Sequence, residues 1–277
     1  MSADAQAHWL PFDTYLTAIE RESRRFRECL AKADPDLPVP SCPGWTADDL
    51  LWHLGGDVQH FWAWIVTNRP EPPHNYPEPR RPDGHAARLL FFDRAHEDLM
   101  FRLRNAEPAE IAWSWAADPH LHTVAFTLRR QAHEALIHRV DAELTIGERT
   151  PVDPDLAADG VLECLEVMYA GLPPWGRFTP DGTRITIETT DVGRRVLLGL
   201  GVFTGRNPRT GVDESSDDVQ LLDRAHEEEG DADLAIWGTA EQLDLWLWHR
   251  GEAHGVQIAG DESVSERLAR LLDQPIG

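Results

Sequence analysis

The sequence predicts an α+β protein: an N-terminal four-helix bundle over residues 1–150, followed by a smaller α+β domain with a mainly antiparallel sheet over 151–277. Three observations carry this reading. Apolar residues recur at helical spacing through four long segments of the first half. Two proline-rich stretches, PDLPVPSCPGW (35–45) and NRPEPPHNYPEPRRPDG (68–84), break those segments apart. After Gly147 the pattern changes to short runs such as RITIETT (184–190) and RRVLLGLG (194–201), which read as paired strands.

The first helix, about 11–33, places Phe12, Leu16, Ile19, Phe26 and Leu30 on one face over a charged opposite face. Thr46 reads as the cap of a second helix to about Thr67, with Asp49 at its third position. A third helix covers 85–105. Residues 113–122 read as loop and 123–144 as the fourth helix. Such helices with two long connections suit a bundle with crossovers.

Beyond them, 154–170 is still helical, 205–218 reads as a polar loop, and 219–223 as a short strand. The acidic run HEEEGDAD (226–233) reads as a solvated turn and ADLAIWG (232–238) as a strand. Thr239 with Gln242 forms a capping box for a helix to Trp248, GVQIAGD (255–261) gives another strand, and Ser263 begins the last helix. There is no internal repeat.

With 48 acidic and 26 basic side chains the formal net charge is −22, a surface that phosphate backbones repel, so no nucleic-acid partner is expected. The three cysteines, Cys29, Cys42 and Cys164, have no CxxC spacing and support neither a disulfide framework nor a cysteine zinc site. No apolar run approaches 18 residues and the N-terminus lacks a signal pattern, so the expectation is a cytoplasmic protein, monomer or homodimer, without a membrane partner.

The chemistry concentrates in RRQAHEALIHRVDAEL (129–144). Glu134 and His138, four apart, lie about 40° from each other around a helix, within reach of one metal ion. This is not the zincin HExxH, because His133 and His138 are five apart. A Glu/His pair at this spacing is also common on plain helix surfaces.

The second helix offers His53, Asp57 and His60 in WHLGGDVQH. His53, among Leu50, Leu51, Trp52 and Leu54, reads either as a core histidine or as a third ligand from a facing helix. Two histidines and a glutamate would leave a zinc ion an open position. Asp57 and His60 read as partners behind the ligands or as a competing set with His53. His120 and His122 form a weaker loop pair. Of the 11 tryptophans, Trp45, Trp52, Trp62 and Trp64 fall near His53 in sequence, as packing or as walls of a cleft.

Three segments together resemble one family: CPGWTADDLLWHLGG (42–56), RRQAHEALIHRVDAEL (129–144) and GTAEQLDLWLWHRGEAHGVQIAGDE (238–262). They resemble the mycothiol-dependent maleylpyruvate isomerases, whose N-terminal domain belongs to the DinB/YfiT-like helical bundles. The resemblance implies a divalent metal, usually zinc, held by His53, Glu134 and His138, with mycothiol as co-substrate. It also implies that Arg250, in the segment matching the family's LWLWxR helix, binds a carboxylate of thiol or substrate through its guanidinium fork. The alternative for Arg250 is a surface arginine favoured by a helix C-terminus.

The expected chemistry is therefore metal-dependent use of a small thiol on a small electrophilic substrate, by isomerisation or S-transfer, with Arg250 and Asp57 as candidate catalytic residues. Two other readings stay open. One is a non-catalytic metal-binding or ligand-sensing protein. The other is a zinc hydrolase in which Glu134 or Asp57 activates water. The long stretches 68–84 and 205–218 are expected to shape a pocket or lid.

Overall fold

Helix starts follow the capping chemistry. Thr46 Oγ1 accepts from the Asp49 amide while the Asp49 carboxylate accepts from the Thr46 amide. Thr123 caps Phe126, and Asp153, followed by Pro154 in the first turn, caps Leu156. Thr239 and Gln242 form a second reciprocal box.

The computed structural model describes residues 9–222, 232–251, 254–274 and 276. Among them, those up to Trp115 with Pro119–Pro151 form one compact unit. Ala116–Asp118 with those from Val152 onward form a second.

The first unit is built on four helical rods. They are α1 (Phe12–Leu30), a composite rod, α4 (His85–Arg104) and α5 (Val124–Thr145). The composite rod runs from α2 (Ala47–Trp52) through a π-helical stretch, His53–His60, into α3 (Phe61–Asn68). That stretch departs from the continuous α-helix expected there. π-bulges of this kind gather at functional sites. Two glycines suit it to its place: a Cβ on Gly55 would meet Phe92 of α4 at 3.3 Å, and one on Gly56 would meet the Trp52 indole at 2.7 Å.

α5 is buried almost all round and packs along α1. Arg139 on α5 bonds Glu22 of α1 at 2.8 Å and Glu143 at 2.9 Å, and Arg25 of α1 reaches Glu143 at 2.7 Å. Arg139, Glu22 and Glu143 are nearly sealed from solvent, so each needs its partners.

The second unit is α+β. Helix α6 (Pro154–Glu163) runs into a π-helical turn, Cys164–Tyr169. Five strands follow in the order β3-β2-β1-β4-β5: β1 (Gly176–Thr189), β2 (Arg195–Arg206), β3 (Asp213–Leu221), β4 (Leu234–Gly238) and β5 (Gln257–Gly260). All neighbours pair antiparallel except β1 with β4. Helices α7 (Ala240–Leu247) and α8 (Glu262–Leu272) complete the unit. The Tyr169 hydroxyl donates toward the carbonyls of Leu247 and Leu272, at 2.8 and 3.3 Å, tying the two helix ends together.

The sheet corrects the strand expectations. β1 begins at Gly176, well before Arg184, and tolerates Pro180 because the ladder is irregular between Pro180 and Arg184. The loop expected at 205–218 is mostly strand: β2 continues to Arg206 and pairs with β3 from Asp213 onward. β3 is a polar, exposed edge strand, so it shows no apolar alternation. With it goes the argument for a long lid there. The last helix is capped by Asp261, two residues before Ser263. The acidic run at 226–233 lies outside the described residues except for its last two. No helix among the described residues is long and apolar enough to cross a membrane.

Candidate metal centre

The rods of the first unit converge His53, at the start of the π-helical stretch, on Glu134 and His138 of α5. One donor atom from each lies within 4.8 Å of the others. The His53 and His138 rings stand edge to face, 4.9 Å between centroids at 81°, and the Trp45 ring lies against His53 at 4.8 Å. His138 is buried, whereas Glu134 and His53 keep 20% and 22% of their side-chain surface, so the cluster opens to solvent.

His138 Nε2 lies 3.2 Å from Glu134 Oε2. Two donors about 2.1 Å from a tetrahedral ion stand roughly 3.4 Å apart. The His138–Glu134 pair has that spacing, and with a His53 nitrogen within 4.8 Å the donor set, two imidazoles and a carboxylate, is of a kind that suits a zinc-type ion with a further coordination position open.

The electrostatics fit as well. Burial works against a charged Glu134, but Arg130 at 3.2 Å, His138 and His53 outweigh it and hold the carboxyl well below the usual carboxylate range. Burial likewise opposes a charged His138, and hydrogen bonds to Asp141 and Glu134 raise its pKa despite it. The site is thus a paired acid and base that favours a proton or a cation.

Behind the cluster stands Asp141, fully buried, with Oδ2 2.9 Å from His138 Nδ1. Ser41 Oγ donates to its other oxygen, and Cys42 Sγ lies 3.6 Å from Oδ2. The proline-rich connector thereby reaches both histidines, through Trp45 on His53 and through Ser41 and Cys42 on Asp141. Sequence reasoning missed Asp141. Its signal was the spacing E-x3-H-x2-D, which puts all three side chains on one helix face.

The other nominated residues separate. Asp57 Oδ2 lies 3.5 Å from His53 Nδ1 and is half exposed, so it stands at the solvent side of the cluster. His60 does not join the cluster: its Nδ1 is 2.7 Å from the Tyr76 hydroxyl and its ring lies against Phe91. His133 is buried and faces Tyr15 of α1. His120 and His122 fall outside this cluster. Trp52 packs on Phe91, away from His53. The three cysteines are buried and form no disulfide with one another.

Arg250 belongs to the second unit. It is 7% exposed, and one guanidinium nitrogen bonds the Trp248 carbonyl at 2.7 Å. The surface placement weighed for it is therefore wrong. His249 adopts φ 58° at the end of α7, and the Arg250 amide bonds back to the Leu245 carbonyl at 2.8 Å, which turns the chain inward.

Fold and site together define a two-unit α+β protein whose helical half carries a His₂Glu cluster. Residues 16–143 match the mycothiol maleylpyruvate isomerase N-terminal domain, and residues 155–267 match the C-terminal domain of the same enzymes. The chain belongs to the mycothiol-dependent maleylpyruvate isomerase family.

Two solved structures share the fold: a mycothiol-dependent maleylpyruvate isomerase, at TM-score 0.57 and 14% identity, and a variant of it with one histidine replaced by alanine, at 0.56 and 13%. Each alignment covers 90% of this chain and 93% of the other. No curated protein matches the chain.

Proposed function

We propose that this family member is a metal-dependent enzyme that uses a low-molecular-weight thiol, mycothiol, on a small electrophilic substrate, in the manner of maleylpyruvate isomerisation. The observation that carries the reading is the convergence of His53, Glu134 and His138 with an open side. A bound divalent ion, zinc by donor type, supplies a Lewis-acid position that lowers the pKa of a thiol sulfur.

The chain's own residues do the rest. Asp141 fixes the tautomer of His138 so that its Nε2 lone pair points toward Glu134. Arg130 keeps Glu134 anionic. Asp57, exposed beside His53, takes the thiol's proton in this reading. Arg250 is assigned a carboxylate of thiol or substrate, as the family resemblance implies.

In the isomerase chemistry the thiolate sulfur adds to a conjugated cis double bond, forming a C–S bond while the electron pair moves into the conjugated carbonyl. Rotation about the resulting single bond follows. Return of the pair expels the thiolate and leaves the trans alkene. No cysteine of the protein takes part.

The test measures zinc content, and turnover of a cis-enone acid, in wild type and His53→Ala. Stoichiometric zinc in the wild type, lost in His53→Ala together with thiol-dependent turnover, is expected. Unchanged metal content in His53→Ala would overturn the ligand assignment. Zinc-loaded protein that forms no product with any thiol and electrophile would overturn the catalytic reading.

A further inference from the structure

α5 carries more on its metal-facing side than two ligands. Residues 131, 134 and 138 are spaced by three and four, so Gln131 lies about 60° from Glu134 and about 20° from His138 around the helix. It precedes Glu134 by roughly 4.5 Å along the axis. Gln131 is 1% exposed, and neither its Oε1 nor its Nε2 has a hydrogen-bond partner among the described residues.

Its neighbours on that face are engaged. Thr127 bonds the Thr123 carbonyl, Glu134 meets Arg130 and His138, and Asp141 takes His138 and Ser41. A buried primary amide with both functions open is costly unless something else fills them, and such exceptions in a native fold call for an explanation.

We propose that Gln131 is a binding residue for the molecule that enters beside His53, Glu134 and His138, and that it recognises an amide carried close to the sulfur of a small thiol. The inference rests on the thiol reading above. A glutamine offers a donor and an acceptor side by side, and another amide is its complement. A carboxylate would satisfy only Nε2, and an ammonium only Oε1. In an N-acylated cysteine the amide nitrogen is three bonds from sulfur. A thiol with its sulfur beside Glu134 needs to extend only about one helical turn to reach Gln131.

The test uses full-length protein loaded with cobalt(II), which reports thiol binding through sulfur-to-cobalt charge-transfer absorption. N-acetylcysteine is the amide thiol. 3-Mercaptopropionate keeps the sulfur and the carboxylate but lacks the amide. The wild type should favour N-acetylcysteine by about tenfold or more, because a site built around buried polar groups rejects an analogue that leaves them unpaired. Gln131→Leu should abolish that preference while binding cobalt and 3-mercaptopropionate as the wild type does.

Equal affinity of the wild type for both thiols would overturn the role of Gln131 and leave the thiol reading standing. That comparison needs no variant, so it holds even if Gln131→Leu fails to fold. Equal weakening of both thiols in Gln131→Leu would also overturn it, assigning the amide to a buried water that props the helix face. A cobalt spectrum that no thiol alters would overturn the thiol reading, and the role of Gln131 with it.

Discussion

The Nδ1 of His138 lies 2.9 Å from a carboxylate oxygen of Asp141, and this bond decides which edge of the imidazole is free. With Ser41 and Cys42 also aimed at it, the Asp141 carboxylate is surrounded by donors and acts as acceptor. His138 Nδ1 must then carry the hydrogen, and Nε2 faces Glu134. Outer partners of this kind tune metal affinity by about 10- to 100-fold. Asp141→Ala is expected to weaken zinc binding by that factor, read by competition with a chromophoric chelator. Asp141→Asn, which can still present an oxygen to Nδ1, should weaken it less.

Gly56 makes a sharper structural demand. A methyl group there would fall 2.7 Å from the Trp52 indole, inside van der Waals contact, on the π-helical stretch that begins with His53. Gly56→Ala forces the indole or the backbone to shift, at about 1–3 kcal/mol for an overpacked site. The expected result is a lower Tm and weaker zinc binding together. Were alanine only a better helix former here, Tm would rise instead.

The buried charges between α1 and α5 predict an acid response. Burial works against the Glu143 charge, but hydrogen bonds from Arg25, Thr150 and Arg139 outweigh it and lower its pKa. A carboxyl whose folded pKa is depressed contributes stability present above its unfolded value, about 4.3, and lost as pH falls through the folded one. Urea midpoints should therefore fall on acidification below about pH 4.3. Glu143→Gln should flatten part of that fall while lowering stability near neutrality. Arg139→Met removes one partner from each of Glu22 and Glu143, which keep Arg21 and Arg25, so it should cost less than the about 3–5 kcal/mol of a buried charge left wholly unpaired.

What the sequence disclosed, it disclosed through local rules. Thr46 with Asp49 and Thr239 with Gln242 were readable because a capping box lies within four residues. His53, Glu134 and His138 could be nominated because helical spacing and apolar flanks act over one or two turns. The α+β class followed from the change of apolar period after Gly147. The π-helical stretch could not be read, since the same apolar pattern suits an α-helix. β3 was hidden because its order comes from the backbone of β2. The burial of Arg250 was hidden because it depends on the turn at His249. Gln131 looks like any polar helix residue until its surroundings are known.

The proline-rich stretch 68–84 is held to the composite rod at one aromatic residue. Tyr76 meets Phe61 at 5.0 Å and Trp64 at 5.7 Å between centroids, and its hydroxyl lies 2.7 Å from His60 Nδ1. Burial lowers the His60 pKa and pushes the Tyr76 phenol up to about 12, so both stay neutral near pH 7 and the bond is an uncharged one. A neutral hydrogen bond contributes about 0.5–1.5 kcal/mol, whereas removing the half-buried ring costs more, toward the about 3–5 kcal/mol of a fully buried one. Tyr76→Phe should therefore leave the stretch docked with a small loss of stability, and Tyr76→Ala should release it. Arg80 gives trypsin a site in this stretch, at the Arg80–Arg81 bond, because Arg81 is followed by Pro82; Arg81 is tied to Asp49 at 2.8 Å. Limited proteolysis should cut there several-fold faster in Tyr76→Ala than in wild type, with Tyr76→Phe close to wild type. Equal acceleration in both variants would mean that the hydroxyl, not the ring, is the anchor.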